Sequence, residues 1–343
     1  MKALLLTEPG KLEITELEKP AFGADEVLVK VAACGICGSD IHGFDGSTGR
    51  RIPPLVMGHE AAGTICEVGS SVTDFRIRDR VTFDSTISCG KCSFCQRGQV
   101  NLCDSRQVLG VSCGEYRRHG AFAELVVVPA RILYRLPDEL AMEHAALVEA
   151  VSVAVHAVRR SQLSRGETAV VVGTGMIGLL VVQVLKHFGC SRVLAVDQNE
   201  RRLELARDLG ADETFTADEN DLLDRLWTAN KGQELDHAFE VVGITATAQT
   251  AVHAVRRRGT VTLVGNLAPE VLLPLQAVVT RELSLYGTCA SSGEYPECLE
   301  LIASGAVQVA PLISATAPLE EGPVWFDRLF QGEPGLMKVV LKP

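Results

Sequence analysis

Two clusters of metal-seeking side chains stand out in the first half of the chain. Cys89, Cys92, Cys95 and Cys103 fall within fifteen residues, spaced C-x2-C-x2-C-x7-C. Two-residue gaps let successive sulfurs face one centre, and the fourth closes a loop, as in a tetrahedral thiolate zinc site. Four protein ligands leave no open position, so this zinc would be structural. An iron–sulfur cluster, four metal-free thiols and a nucleic-acid zinc ribbon are the alternatives. Cluster runs usually have other spacings, and no basic–aromatic stretch lies nearby. The second cluster is Cys34-Gly-Ile-Cys37-Gly-Ser39-Asp40-Ile-His42, followed by Gly58-His59-Glu60 and, further on, Leu147-Val148-Glu149-Ala150. Cys37, His59 and a carboxylate would form a mixed sulfur, nitrogen and oxygen set. Three protein ligands with one position open is the arrangement of a catalytic zinc. By spacing alone, a histidine before a glutamate is as readily a packed or surface residue.

A third motif would bind phosphate, its plainer alternative being a strand–turn–helix with a capping aspartate. Gly173-Thr-Gly175-Met176-Ile177-Gly178 follows an apolar run and opens a helix. Such glycines permit a tight turn, close approach of backbone to a pyrophosphate, and close packing of helix on strand. Asp197 follows Gly178 by 19 residues. A carboxylate there accepts the ribose hydroxyls of NAD and repels the 2′-phosphate of NADP. Arg201 and Arg202 come next; either could bind a 2′-phosphate, but packing on adenine or facing solvent is the favoured reading. Arg202, Val264 and Gly265 complete the expected cofactor-binding set.

These groups need elements to hold them. Up to about residue 150 the chain reads as short strands, such as Val27–Val31, Ala61–Val68 and Arg80–Phe83, punctuated by Gly and Pro. Strands and helices then alternate. Expected strands are Thr168–Val172, Arg192–Val196, Asp236–Val241 and Gly259–Val264. Expected helices run from about Gly175 to Phe188, Glu200 to Leu209 (stopped by Gly210) and Thr245 to Arg257. Alternation of this kind implies a doubly wound parallel sheet. After about Tyr286 the texture is mixed and ends in a strand, Met337–Leu341. The expected plan is a β-rich domain from residues 1–150 and 287–343, with an α/β dinucleotide-binding domain, 151–286, inserted between.

Length and charge agree. The 343 residues suit roughly two domains. The net charge of −10 makes nucleic acid and anionic membranes poor partners. No apolar run approaches a membrane span, and the apolar stretch near Met1 is too short for a signal segment. A cytoplasmic location is expected by default, and with thiols kept reduced there the 11 cysteines point to metal or catalysis rather than disulfides.

Cys37-Gly-Ser-Asp-Ile-His42, Gly58-His-Glu60, the four-cysteine run, Val148-Glu-Ala-Val-Ser-Val-Ala-Val-His156 and Gly173–Gly178 occur in that order. In this the chain resembles the zinc-containing medium-chain alcohol/polyol dehydrogenases, nearest to the sorbitol dehydrogenase-like branch that includes galactitol-1-phosphate and sugar-acid dehydrogenases. The resemblance implies a GroES-like catalytic domain, a Rossmann domain, a homodimer or homotetramer, two zinc ions per chain, NAD, and a small alcohol or polyol substrate. It implies that Cys37, His59 and Glu149 hold the catalytic zinc, with Glu60 an alternative fourth ligand or a supporting group. Asp40 would orient His59, and Ser39 and His42 match the family's proton relay. Departures from the pattern are Ala150 in place of proline, loss near Ala290–Ser291 of the arginine that contacts polyol hydroxyls, and the segment 114–119. Arg50, Arg51, Arg117 and Arg118 would either face solvent or hold an acidic substrate group. Competing readings are a zinc-free quinone or enone reductase of the same fold and a non-catalytic nucleotide-binding protein. Of the remaining histidines, His156 is expected to pack, and His119, His144, His187, His237 and His253 to lie at the surface.

Overall fold

The computed structural model describes every residue except 114, 115 and 219, so part of the segment 114–119 lies outside the described residues. The chain forms two compact units: Met1–Glu149 with Ser292–Gly305 and Val309–Pro343, and Ala150–Ser291 with Ala306–Gln308.

In the first unit, strand Glu26–Gly35 is the spine. Its run of Val27, Leu28, Val29 and Val31 is buried, as β-branched residues favour in a covered sheet. It pairs antiparallel with Glu60–Val68 and with Leu125–Pro129. The C-terminal strand Lys338–Lys342 joins at the spine's far end, placing Val340 opposite Gly35 and Leu341 opposite Cys34. That pairing brings the end of the chain beside the Cys37 segment. The hairpin Lys2–Glu8/Lys11–Glu16 and helix Gly322–Phe330 close the core. There Phe326 meets Phe122 edge to face, ring centres 5.7 Å apart.

The second unit carries six parallel strands in the order Glu213–Thr216, Arg192–Asp197, Thr168–Val172, Leu235–Glu240, Val255–Leu263, Ser284–Gly287. From Thr168–Val172 the chain winds outward through helix Met176–His187, then returns to wind the other way from Leu235–Glu240. The reversal between these neighbours is the switch point at which such sheets bind ligands. The two central strands Thr168–Val172 and Arg192–Asp197 are largely apolar because both faces are covered (Val170–Val172 and Val193–Val196 are buried). Gly210 ends helix Glu200–Asp208 at a φ of 110°.

Some elements depart from the expected plan. Residues 287–291 group with the second unit, because Ser284–Gly287 is the sheet's edge strand and the Thr288 amide donates to Leu263 O at 3.2 Å. The helix from Thr245 stops at Ala254, and strand Val255–Leu263 starts at once. His237 is buried rather than exposed, with its Nε2 2.8 Å from Glu167 Oε2. Among the described residues no helix is long and apolar enough to cross a membrane.

Asp84 directly follows strand Arg80–Phe83 and is buried inside the first unit. Burial pushes its carboxyl up to about 6, against the opposing amide of Thr86, which donates to Oδ1 at 2.8 Å; Glu294 raises it further. A folded-state pKa above the unfolded one means stability present below about pH 4 and lost as pH rises through about 6. Asp84→Asn keeps the amide bond and removes the charge. Thermal melts should show it stabilised by about 1–2 kcal/mol at pH 8, with the gain vanishing below about pH 4. An equal shift at both pH values would reject the account.

Candidate metal and cofactor sites

Helix Gly38–Ile41 is one turn long, with Cys37 as its N-cap. The Cys37 amide donates to Asp40 Oδ2 at 3.3 Å, fixing the thiol at the mouth of the turn. The pairing of Gly35 with Glu60 carries His59 and Glu60 alongside. Ligand atoms of Cys37, His59 and Glu60 lie within 4.8 Å of one another. Glu149 stands outside that group but close enough for its charge to act on His59 and Glu60. It begins helix Val148–Arg160, which places it through a different element from the other three.

Behind these donors lie two buried ion pairs. Asp40 has no exposed surface. Its Oδ1 lies 2.8 Å from Arg51 Nη2, 3.1 Å from Arg51 Nε and 3.4 Å from His59 Nδ1. Burial raises the Asp40 pKa most, but the charges of His59 and Arg51 together outweigh it and hold the carboxyl far below its usual range. For His59 burial acts downward, and Asp40 and Cys37 overcome it, so the imidazole's pKa is raised. Glu60 Oε2 pairs with Lys338 Nζ at 2.6 Å, and the same ammonium donates to Ile36 O at 3.0 Å. Burial opposes the charge on Lys338, and Glu60 restores and raises its pKa. Glu149 keeps part of its surface accessible, yet the surrounding protein pushes its carboxyl up to about 7.

A zinc ion fits this set. Thiol, imidazole and carboxylate are its ordinary donors. His59 Nδ1, buried and without an aligned hydrogen bond, faces Asp40, which leaves Nε2 to face a metal.

The four-cysteine loop fits one as well. Helix Ser93–Gln96 starts from Cys92, and the ligand atoms of Cys89, Cys92, Cys95 and Cys103 lie within 4.8 Å of one another. Cys92 Sγ is 3.5 Å and Cys89 Sγ 3.9 Å from Cys95 Sγ. A tetrahedron of sulfurs at zinc–sulfur distances of about 2.3 Å has edges of about 3.8 Å. Amides of Lys91 and Cys92 pull the Cys89 thiol down to about 6, whereas burial pushes Cys95 up to about 11.

In the second unit, the glycine loop links strand Thr168–Val172 to helix Met176–His187, with Gly175 as N-cap. A Cβ on Gly178 would lie 1.9 Å from Gly173 O, so the helix could not seat on the turn. At Gly175 an added Cβ would meet nothing within 4 Å, which leaves the helix N-terminus open to a pyrophosphate. Asp197 ends the adjacent strand; its Oδ2 accepts the Thr174 amide at 2.6 Å and its Oδ1 the Asn199 amide at 2.9 Å. Met176 and Ile177 are half-buried in the first turn. The Val264 and Gly265 amides donate to Glu240 O at 2.8 and 3.0 Å, across the end of the neighbouring strand. Arg202 is exposed, its amide capped by Asn199.

Ser39 and His42 are exposed on the Cys37 turn, and Ser39 Oγ accepts from Arg51 Nη2 at 3.2 Å. Arg51 is therefore neither solvated nor free for substrate: both donors of its inner edge are committed to Asp40. Arg118 is also engaged, at 2.6 Å from Glu26 Oε1. Arg50 and Arg117 are exposed. The partnerships of Arg51 and Lys338 escaped sequence reasoning. The one available signal was the place of Lys338 at the head of an apolar strand.

The chain matches the alcohol dehydrogenase GroES-like domain family over residues 23–138 and the zinc-binding dehydrogenase family over 177–304. It is 34% identical over 347 aligned positions to sorbitol dehydrogenase of Bacillus subtilis, covering 100% of this chain and 97% of that protein. The chain belongs to the zinc-dependent medium-chain alcohol/polyol dehydrogenases. L-idonate 5-dehydrogenase of Vitis vinifera is 36% identical over 310 residues, 88% of this chain and 84% of that one. Among solved structures, a zinc-binding dehydrogenase from Sinorhizobium meliloti bound to NADP superposes with a TM-score of 0.91 at 31% identity, covering 100% of this chain and 99% of that one. This dehydrogenase is thus an oxidoreductase that uses zinc and a nicotinamide cofactor, with a GroES-like and a Rossmann domain.

Gly178→Ala should abolish dinucleotide binding, measured by quenching of protein fluorescence on titration with NADH. The clash is with backbone, which cannot give way. Binding at wild-type affinity would show that the turn tolerates a side chain.

Proposed function

We propose that this dehydrogenase oxidises a secondary alcohol of a polyol, sugar alcohol or sugar acid, with NAD as the hydride acceptor. The observation that carries the reading is the convergence of Cys37, His59 and Glu60 at one point, backed by buried ion pairs, in a chain of this family. Cys37, His59 and Glu149 are the proposed ligands of the catalytic zinc, with Glu60 as the alternative fourth. When bound, zinc supplies the Lewis acidity that lets an aliphatic hydroxyl lose its proton near neutral pH. Asp40 holds the His59 ring from behind. Ser39 accepts the hydroxyl proton, and His42, exposed on the same turn, returns it to solvent. A second zinc, on Cys89, Cys92, Cys95 and Cys103, braces its loop without an open position.

NAD is favoured over NADP by Asp197, whose carboxylate is held beside the glycine loop by two amides. A 2′-phosphate there would meet a like charge. A homodimer or homotetramer is supported by exposed Leu272, Leu275 and Val279, grouped around helix Leu275–Thr280. A cytoplasmic location is supported by cysteines that form no disulfide among the described residues.

Metal analysis tests the core of the proposal. Wild type should hold about two zinc ions per chain, and Cys37→Ser about one, with the fold kept and activity lost. An unchanged metal count would remove Cys37 from the ligand set. For the cofactor, Asp197→Ala should lower the ratio of kcat/KM for NAD over NADP by about tenfold or more. Wild-type turnover faster with NADP than with NAD would overturn the preference.

A further inference from the structure

Arg51 has almost no exposed surface, although it lies in irregular chain between the Cys37 turn and His59. Each edge of its guanidinium has a partner. Nε and Nη2 grip Asp40 Oδ1 at 3.1 and 2.8 Å, Nη2 also donates to Ser39 Oγ at 3.2 Å, and Nη1 donates to Arg50 O at 3.3 Å. Room for its stem is built in: a Cβ on Gly43 would lie 2.8 Å from Arg51 Cγ. A single planar fork thus touches both Asp40, the support of His59, and Ser39, the proposed proton acceptor.

The geometry points to Arg51 as the positioning residue that locks the metal-binding imidazole and the proton-accepting hydroxyl into one unit. Resting on the role proposed above for Ser39, this assigns that hydroxyl a direction. A serine oxygen has two lone pairs and one O–H. Arg51 occupies one lone pair. One lone pair remains to take the proton of the substrate hydroxyl, and one O–H remains to give a proton onward to His42 and solvent. Each proton accepted is matched by one released, so Ser39 is neutral before and after. The positive guanidinium also stabilises oxygen while its proton is leaving, and the buried Asp40 charge keeps that guanidinium in place. Lysine cannot substitute in both roles. Its ammonium can neutralise Asp40 but lacks the planar fork that reaches two acceptors in fixed directions.

A double-mutant cycle tests this, using the zinc-loaded enzyme. Arg51→Lys leaves Asp40 a cation and so keeps the fold. It should lower kcat about tenfold or more while KM stays within about twofold. Ser39→Ala in the wild type should lower kcat by about 100-fold or more. In the Arg51→Lys background the same serine change should cost far less, because the hydroxyl is already misdirected. Competition with a chelator gives a readout independent of turnover. Arg51→Lys should weaken retention of the catalytic zinc about tenfold, and Ser39→Ala should leave it unchanged. If Ser39→Ala costs its full factor in both backgrounds, Arg51 does not direct the hydroxyl, although Ser39 remains the acceptor. If Ser39→Ala in the wild type is fully active, the role of Ser39 itself fails. Unaltered zinc retention in Arg51→Lys would break the link to His59.

Discussion

A carboxylate with no access to water can stay ionised only if other charges replace its hydration. Asp40 meets that condition through Arg51 and His59, and three parts of the site follow from it. The His59 ring is oriented by it. The Cys37 amide is held by its second oxygen. Arg51 is drawn inward by it and so reaches Ser39. Removing one partner of such a pair leaves an uncompensated charge inside the protein, at a typical cost of about 3–5 kcal/mol. The arrangement is therefore rigid, which suits a site whose donors must hold their geometry while a substrate comes and goes.

The Glu60–Lys338 pair repeats the principle from another direction. Lys338 arrives on the last strand, hundreds of residues away in sequence, and closes over Glu60 and Ile36 O. Its ammonium pairs with Glu60 Oε2, while Glu60 still brings a carboxylate oxygen within 4.8 Å of the Cys37 and His59 ligand atoms. Glu149, supplied by a separate helix, adds a third acid to the same neighbourhood. Two cations thus offset a concentration of carboxylates that would otherwise repel one another, and a divalent ion would complete the balance.

The two metal-binding groups divide their labour by geometry. Four sulfurs within 4.8 Å of one another lie in a loop with little core of its own, where a bound metal would take the place of apolar packing. Cys37, His59 and a carboxylate, as three ligands of a tetrahedral ion, would leave one position for a further oxygen. The dinucleotide loop works differently, by subtraction: glycine at 178 lets helix and turn touch, and glycine at 175 leaves the helix end bare.

Much of this was legible from residue order. The four-cysteine spacing, the glycine loop with Asp197, and the alternation of apolar strands with helices are local patterns, set by chain geometry over a few residues or by burial of both faces of a sheet. The proposed donors Cys37 and His59 were also legible, because the turn and the strand start that carry them are short-range features. Tertiary structure decided what lies behind the donors. Arg51 looked like a surface cation because long charged side chains usually are, and only the packing of Gly43 and Asp40 around it turned it inward. Lys338 and His237 were hidden for the same reason: their partners, Glu60 and Glu167, are distant in sequence and meet them only once the sheets assemble. The grouping of Glu60 rather than Glu149 with Cys37 and His59 also depends on strand register. Short-range pattern records which chemistry the chain can perform, whereas the compensation of buried charge is a property of neighbours that only folding brings together.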